Sequence, residues 1–119
     1  MKKYYLLIIL FMIFSCKGKV EDKHVVYLSP DCGCCHDWVK HMEKNNFPLE
    51  KNLNSNMYDV KINAGLPIDL ASCHTALING YFIEGHVPAN DVKRLIQQKP
   101  NGIIGLTVPG MPAGINVPG

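Results

Sequence analysis

The apolar positions of the chain form short runs separated by turn-forming residues. Residues 25–28 (VVYL) are apolar and mostly β-branched or aromatic, and Ser29-Pro30 ends the run, so they predict a buried strand. A helical spacing of apolar residues follows a group of cysteines and predicts a helix that ends near Asn45-Asn46. The apolar residues that indicate it are Trp38, Val39 and Met42, with Phe47 just after the expected end.

The second half of the chain carries the clearest local signal. The apolar runs 75–78 (TALI) and 81–83 (YFI) flank Asn79-Gly80. This pattern predicts a two-residue β-hairpin, because both positions of such a turn need a positive φ. Residues 88–98 then show apolar side chains at helical spacing and predict a second helix.

Two segments carry weaker patterns. In residues 49–66, the apolar Tyr58, Val60 and Ile62 alternate as in a strand, but the surrounding Asn and Lys residues leave a short helix open as well. From Pro100 onward the chain is dense in Gly and Pro, which predicts an extended coil and no second domain.

The order of these elements predicts the fold. A strand, a cysteine loop, a helix, an uncertain middle, a hairpin and a closing helix are typical of an α/β, thioredoxin-like arrangement. We therefore expect one domain, residues 25–119, with a mixed sheet, flanking helices and a Gly/Pro-rich C-terminal tail.

The N-terminal residues have the features of an export signal. Met1-Lys2-Lys3 is a basic head, residues 4–14 are apolar and uncharged, and Ser15 precedes the expected cleavage point, so residues 1–15 predict a signal. The sequence IFSC resembles the lipobox of bacterial lipoproteins, which makes Cys16 the candidate for lipidation and residues 16–24 a tether. The expected location is the bacterial cell envelope, anchored to a membrane outside the cytoplasm; an ordinary secretory signal is the alternative.

The charge balance argues against a nucleic-acid partner. Of the 12 Lys and Arg residues, Lys2 and Lys3 belong to the expected signal, which leaves 10 basic residues against 10 acidic ones. No basic stripe is present in the sequence, so we expect no nucleic-acid binding.

Residues 29–38 (SPDCGCCHDW) place three thiols within four positions. In a thioredoxin-like arrangement this loop leads into the N-terminus of a helix, where the helix dipole and free N–H groups favour thiolates. Three adjacent thiolates repel one another, so protons, a disulfide or metal cations must neutralise them.

Several chemistries fit these thiols. Cys32 and Cys35 have the spacing of a redox pair, which leaves a structural disulfide or a thiol–disulfide oxidoreductase open, although neither needs Cys34. A zinc site usually takes two separated pairs of ligands, and the adjacent side chains of Cys34 and Cys35 diverge. Copper(I) is a soft ion that suits thiolate ligands. When thiolates bridge several copper ions, the diverging side chains of Cys34 and Cys35 do not have to bind the same ion.

Cys73 is the fourth candidate sulfur. It stands in ASCHT (71–75), just before the first strand of the hairpin. In a thioredoxin-like arrangement this loop lies beside the cysteine motif. We therefore expect Cys73 to approach Cys32, Cys34 and Cys35 in space.

Three long motifs resemble one family. DCGCCHDWVKHM, SCHTALINGYFIEGHVPANDVKRL and GLTVPGMP occur in the order found in the CopG-type family of bacterial copper-resistance proteins, over residues 25–114. The resemblance implies a thioredoxin-like fold, copper bound by Cys32, Cys34, Cys35 and Cys73 as a multinuclear cluster, and a role in copper resistance outside the cytoplasm. It supplies no information on Cys16.

Other copper-binding side chains are secondary candidates. His86 (GHVP) and Met111 (PGMP) match the family's motifs and are expected near the site. His74 is expected to point away from the site although it follows Cys73, and His41 is expected to be a surface histidine whose ring is satisfied by a hydrogen bond and not by a metal.

The sequence therefore favours an extracytoplasmic protein that binds copper ions, with other copper-handling proteins as partners. A thiol–disulfide oxidoreductase that uses Cys32 and Cys35 is the alternative, and a structural zinc module is a third hypothesis. Whether a copper-linked oxidation is catalysed stays open at this stage.

Overall fold

The computed structural model describes residues 24–53 and 55–110. The expected export signal, Cys16 and Met111 lie outside the described residues. Within the described ranges, no helix is both long enough and apolar enough to cross a membrane.

Three α-helices and five strands make up the described part of the chain. The helices are α1 (Gly33–Lys44), α2 (Met57–Asn63) and α3 (Ala89–Gln98), and a short 3-10 helix covers Ile68–Leu70. The strands are β1 (Val25–Tyr27), β2 (Glu50–Asn52), β3 (Thr75–Ile78), β4 (Tyr81–Glu84) and β5 (Gly105–Thr107).

The strands form one mixed sheet in the order β2-β1-β3-β4-β5. The pairs β1–β2 and β4–β5 are parallel, and β3 is antiparallel to both β1 and β4. This sheet and its helices confirm the predicted α/β class, and the cysteine loop between β1 and α1 agrees with a thioredoxin-like arrangement.

The hairpin turn adopts the conformation that its sequence requires. Asn79 and Gly80 have φ values of 49° and 81° and connect β3 directly to β4. Because this turn fixes the register of the hairpin, Thr75 lies opposite Glu84 and Ala76 lies opposite Ile83.

The two faces of the sheet differ in chemistry. Val26, Ala76 and Ile83 are aligned across neighbouring strands and fully buried, in one cluster with the apolar residues of α1 and α3. Strand alternation puts Thr75 and Glu84 on the opposite face, where the buried amine of Lys61 in α2 reaches both of them.

Trp38 ties α1 to the segment that precedes α3. Its side chain is fully buried, and its indole Nε1–H donates to the carbonyl of Val87 at 2.8 Å. A buried indole N–H without an acceptor is costly, so this bond fixes the approach of the two segments.

The structure decides three features that the sequence left open, missed or misassigned. Residues 57–63 form the short helix that the sequence left open beside a strand. The strand in this region is β2, which the sequence did not reveal. The tail from Pro100 is not coil throughout, because β5 pairs with β4 in parallel.

The pairing of β5 depends on a glycine. A Cβ atom on Gly105 would lie 2.3 Å from the carbonyl oxygen of Phe82, so a larger residue cannot approach β4 as closely. The strand is held further by the Val108 N–H, which donates to the carbonyl of Glu84 at 3.0 Å.

Candidate metal centre

The cysteine motif begins helix α1. Cys32 is the N-cap residue with extended backbone, and its carbonyl accepts the N–H of His36 at 3.2 Å. The first turn contains no acidic side chain, so no carboxylate there offsets the positive end of the helix dipole. The motif thus lies at the helix N-terminus, which is the placement on which the sequence-based expectation of thiolates rests.

Cys32 and Cys35 are joined by a disulfide, with their Cα atoms 5.3 Å apart. Among the described residues, Cys34 and Cys73 are the free thiols. The Sγ atom of Cys34 lies 3.5 Å from that of Cys32. The structure is therefore that of the oxidised pair, with Cys34 beside the bond and not part of it.

Cys73 completes a group of four sulfurs. The Sγ atoms of Cys32, Cys34, Cys35 and Cys73 all lie within 4.8 Å of one another, and we call these four residues the sulfur group. The expected proximity of Cys73 to the motif is thus observed. Burial raises the pKa of the Cys73 thiol, and the neighbouring Cys34 raises it further, whereas a hydrogen bond from Ser72 acts in the opposite direction.

A buried ionic network fixes the segment that carries Cys73. The carboxylate of Glu84, fully buried, accepts the Ser72 N–H at 3.0 Å and the Thr75 hydroxyl at 2.6 Å. The ammonium of Lys61 pairs with the same carboxylate and donates to the Thr75 hydroxyl at 2.8 Å. The residues on both sides of Cys73-His74 are therefore bound to one carboxylate.

Close packing adds to this support. A Cβ atom on Gly85 would lie 2.6 Å from the Val108 carbonyl oxygen and 2.7 Å from the Ser72 hydroxyl, and its φ of 73° also favours glycine. The Ser72 hydroxyl donates to the carbonyl of Gly110 at 3.1 Å. The residue that precedes Met111 is thus attached to the Cys73 segment, although Met111 itself lies outside the described residues.

His74 does not point away from the site, contrary to the sequence-based expectation. Its Nδ1 atom lies 3.3 Å from the Sγ atom of Cys73, and its ring stacks at 4.5 Å on that of Trp38. The physical reason is that β3 begins only at Thr75, so strand alternation does not separate the directions of Cys73 and His74. No sequence signal gives this local geometry.

His86 lies beside His74. The two ring centroids are 5.4 Å apart, and both side chains are almost completely buried. Burial lowers the pKa of His74 to about 3, with a further decrease from His86. His74 is therefore a neutral imidazole at physiological pH, which is the form that binds metal ions.

His41 has a structural role. Its Nε2 atom accepts the backbone N–H of Ala89 at 3.1 Å, and burial lowers its pKa. The side chain is half-buried and hydrogen-bonded at the first turn of α3, so the ring is satisfied as the sequence predicted, but it is not fully at the surface.

The chain resembles two solved structures over most of its length. Both are structures of copper resistance protein CopG, termed Form 2 and Form 1, and each is 42% identical to this chain. Form 2 has a TM-score of 0.70, with 77% of this chain and 73% of the other covered. Form 1 has a TM-score of 0.69, with coverages of 76% and 70%.

The profile of a family described as "Protein of unknown function, DUF411" matches residues 70–119. A curated relative, phosphoenolpyruvate synthase of Pyrococcus furiosus, is 35% identical over 65 residues, but the chain spans only 8% of its length. In contrast, the likeness to each copper resistance structure covers at least 70% of both of the chains compared. On this ground the chain belongs to the CopG family of copper resistance proteins.

Proposed function

We propose that this protein binds copper(I) through the thiolates of the sulfur group, as a multinuclear, sulfur-bridged cluster, and contributes to copper resistance. The observation that carries the proposal is the approach of four cysteine sulfurs within 4.8 Å in a chain of a copper resistance family. Thiolates are soft ligands and suit copper(I). His86 and Met111 are further candidate ligands of this site, as the resemblance implies.

The disulfide sets the condition for binding. In the oxidised form, two of the four sulfurs are bonded to each other and cannot act as thiolates. Reduction by an external dithiol, which is itself oxidised to a disulfide, converts the pair to two thiols, and a metal ion then displaces their protons. Copper capacity is therefore expected to depend on the redox state of Cys32 and Cys35.

The second candidate function is thiol–disulfide exchange. The observation that favours it is the Cys32–Cys35 bond itself, at the N-terminus of a helix, with Cys32 partly exposed. Such an enzyme needs an attacking and a resolving thiol, which this pair supplies. It does not need Cys34 or Cys73.

Copper uptake by the reduced protein under anaerobic conditions tests the first proposal. We expect more than one copper ion per chain, held against weak chelators, and fewer in Cys34→Ser and Cys73→Ser, measured on equal amounts of folded protein. Saturation with one zinc ion, and no better retention of copper, would contradict the multinuclear cluster. Undiminished copper uptake in both variants, with disulfide reductase activity lost only in Cys32→Ser or Cys35→Ser, would favour the enzyme.

We also propose that Cys16 carries a lipid and holds the domain at a membrane of the bacterial cell envelope, outside the cytoplasm, where other copper-handling proteins are the expected partners. Acyl chains dominate the membrane affinity of such proteins. Cys16→Ser is therefore expected to move the protein from the membrane fraction to the soluble fraction while copper uptake stays unchanged. An unchanged membrane fraction would exclude this anchor.

A further inference from the structure

The outer strands at the two edges of the sheet differ in charge. Strand β2 forms one edge and carries Glu50 and Lys51, which are both exposed. Charged side chains on an edge strand hinder its pairing with another chain. Strand β5 forms the other edge in the described part of the chain, and residues 100–119 contain no charged side chain. The outer side of β5, which we call the β5 edge, therefore lacks this protection.

The backbone of β5 has hydrogen-bonding groups that face away from β4. The carbonyl of Ile104 accepts the Phe82 N–H at 3.2 Å, and the Val108 N–H donates to the carbonyl of Glu84 at 3.0 Å. Peptide groups alternate in direction along a strand, so the N–H and carbonyl groups of Gly105 and Thr107 face outward. The β5 edge can therefore accept a further strand.

A groove lies beside this edge, between α3 and β5. Two cavities of about 230 and 240 Å³ share Asp91, Arg94 and Leu106 in their walls and thus follow β5 along its length. Ile103 and Ile104, which lead into the strand, are 45% and 57% exposed. A strand that pairs with β5 would cover apolar surface as well as backbone groups.

The spacing of the outward groups fits a second copy of the chain. In an antiparallel pair around a two-fold axis at Leu106, Gly105 of each copy lies opposite Thr107 of the other. Each of these pairs exchanges two hydrogen bonds, which uses all of the outward groups of both residues. The two Leu106 side chains then lie opposite each other at the axis, and Pro109, which has no N–H, ends the pairing.

The charges beside the axis are also self-complementary. Asp91 and Arg94 form an ion pair at 3.2 Å, with their side chains 43% and 67% exposed, and both line the groove next to Leu106. A two-fold axis at Leu106 brings the acid of one copy toward the base of the other. Attraction between unlike charges therefore accompanies the strand pairing.

We propose that the β5 edge is the interface of a homodimer, in which the β5 strands of two copies pair in antiparallel fashion and join both sheets into one. This inference goes beyond the proposed function and does not depend on copper. The interface continues into residues 108–110, where the Gly110 carbonyl accepts the Ser72 hydroxyl. Dimerisation is therefore expected to stabilise the segment that carries Cys73.

Sedimentation equilibrium of the full chain in mild detergent tests the proposal, between about 1 μM and 1 mM, the range of weak interfaces. We expect the protein mass to approach that of two chains. Thr107→Pro removes the outward N–H and should raise the dissociation constant at least about 10-fold. Thr107→Val is the matched control, because it loses the same hydroxyl bond to the Leu70 carbonyl but keeps the N–H, and it should dimerise like the wild type.

A second pair of variants leaves β5 unchanged. Arg94→Asp places like charges beside the axis and should weaken the dimer, whereas Asp91→Arg/Arg94→Asp exchanges the two charges and should restore it. Lys40→Asp, on the exposed side of α1, is the control for the change in net charge. The near-ultraviolet circular dichroism of Trp38 reports whether each variant is folded, and these variants carry the test if Thr107→Pro does not fold.

Each outcome decides. A monomer throughout the concentration range overturns the inference. Slow amide exchange of Gly105 and Thr107 in that monomer would assign the β5 edge to residues 111–119 of the same chain, and fast exchange would leave it to a different protein. A dimer that both Thr107→Pro and Arg94→Asp leave unchanged also overturns the inference, because its interface then lies elsewhere.

Discussion

The two segments that supply the sulfur group are held in different ways. The hydrogen bonds of Cys32 itself are local: its N–H donates to the carbonyl of Ser29, and its carbonyl accepts the N–H of His36. The His36 ring bonds the nearby carbonyl of Pro30 and also contacts Lys51, 15 residues away. The Cys73 segment is held by Glu84 and Gly110, which lie 12 and 38 residues from Ser72 in the sequence. The first segment is thus positioned by its own helix and the second by the folded sheet and tail. Substitutions that weaken the tertiary structure should therefore displace Cys73 before they disturb Cys32.

The largest loss of folding stability is expected from Glu84→Gln. Removal of one partner leaves the Lys61 ammonium buried without its counter-charge, which costs about 3–5 kcal/mol in comparable pairs. Urea unfolding measures the loss. The double variant Glu84→Gln/Lys61→Met should recover part of it, and Asp37→Asn on the exposed face of α1 serves as control. A loss below about 1 kcal/mol, the range of exposed ion pairs, would mean that the network does not hold the segment.

A smaller loss of stability is expected at acidic pH. The pKa of His74 is lowered from 6.5 to about 3 in the folded protein, so between these values the unfolded chain binds a proton that the folded chain does not. The stability that depends on a neutral His74 is therefore fully present above pH 6.5 and is lost as pH falls toward 3. The loss between pH 8 and pH 5 amounts to about 2 kcal/mol in the free energy of unfolding.

Urea midpoints of the metal-free protein across this range measure the loss, and His74→Phe, which cannot be protonated, should lack that part of the pH dependence. His41 has a lowered pKa as well and acts in the same direction. Its contribution should therefore persist in His74→Phe. Identical pH profiles for the wild type and His74→Phe would contradict the buried, neutral state of His74.

The smallest changes in folding stability are expected when either of two serines is replaced by alanine. Ser72→Ala removes the hydrogen bond to Gly110 and should cost about 0.5–1.5 kcal/mol, with faster amide exchange in residues 105–108. Ser29→Ala removes a weaker contact, 3.4 Å from the Asp31 N–H, and should be indistinguishable from wild type. Equal effects of the two substitutions would remove the distinction between local and long-range support.

Elements with local signals were predictable from the sequence. The Asn79-Gly80 turn defines its hairpin through the φ values that these residues tolerate, and α1 follows from its apolar spacing. Helix α2 was ambiguous because its buried side chain is Lys61, which no hydrophobic pattern reports. What starts this helix is Asn56, whose side chain accepts the N–H groups of Tyr58 and Asp59.

The missed strands and the missed histidine share a different cause. Strands β2 and β5 are three residues each at the two edges of the sheet, and their pairing partners are distant in sequence. His74 faces the site because of where β3 begins, which is a matter of backbone geometry. The position of Cys73 was predictable only because the fold type places its loop beside the motif.

In the proposed copper site, the long-range support of Cys73 would link metal affinity to folding. An unfolded chain presents the three thiols of residues 32–35 without Cys73, since Cys73 reaches them only after the hairpin has docked. An ion that uses donors from both segments binds the folded state in preference, and such binding raises the free energy of unfolding in proportion to the logarithm of ligand concentration. Thermal stability should therefore rise with copper concentration, and a newly made chain should gain its full affinity only at the end of folding.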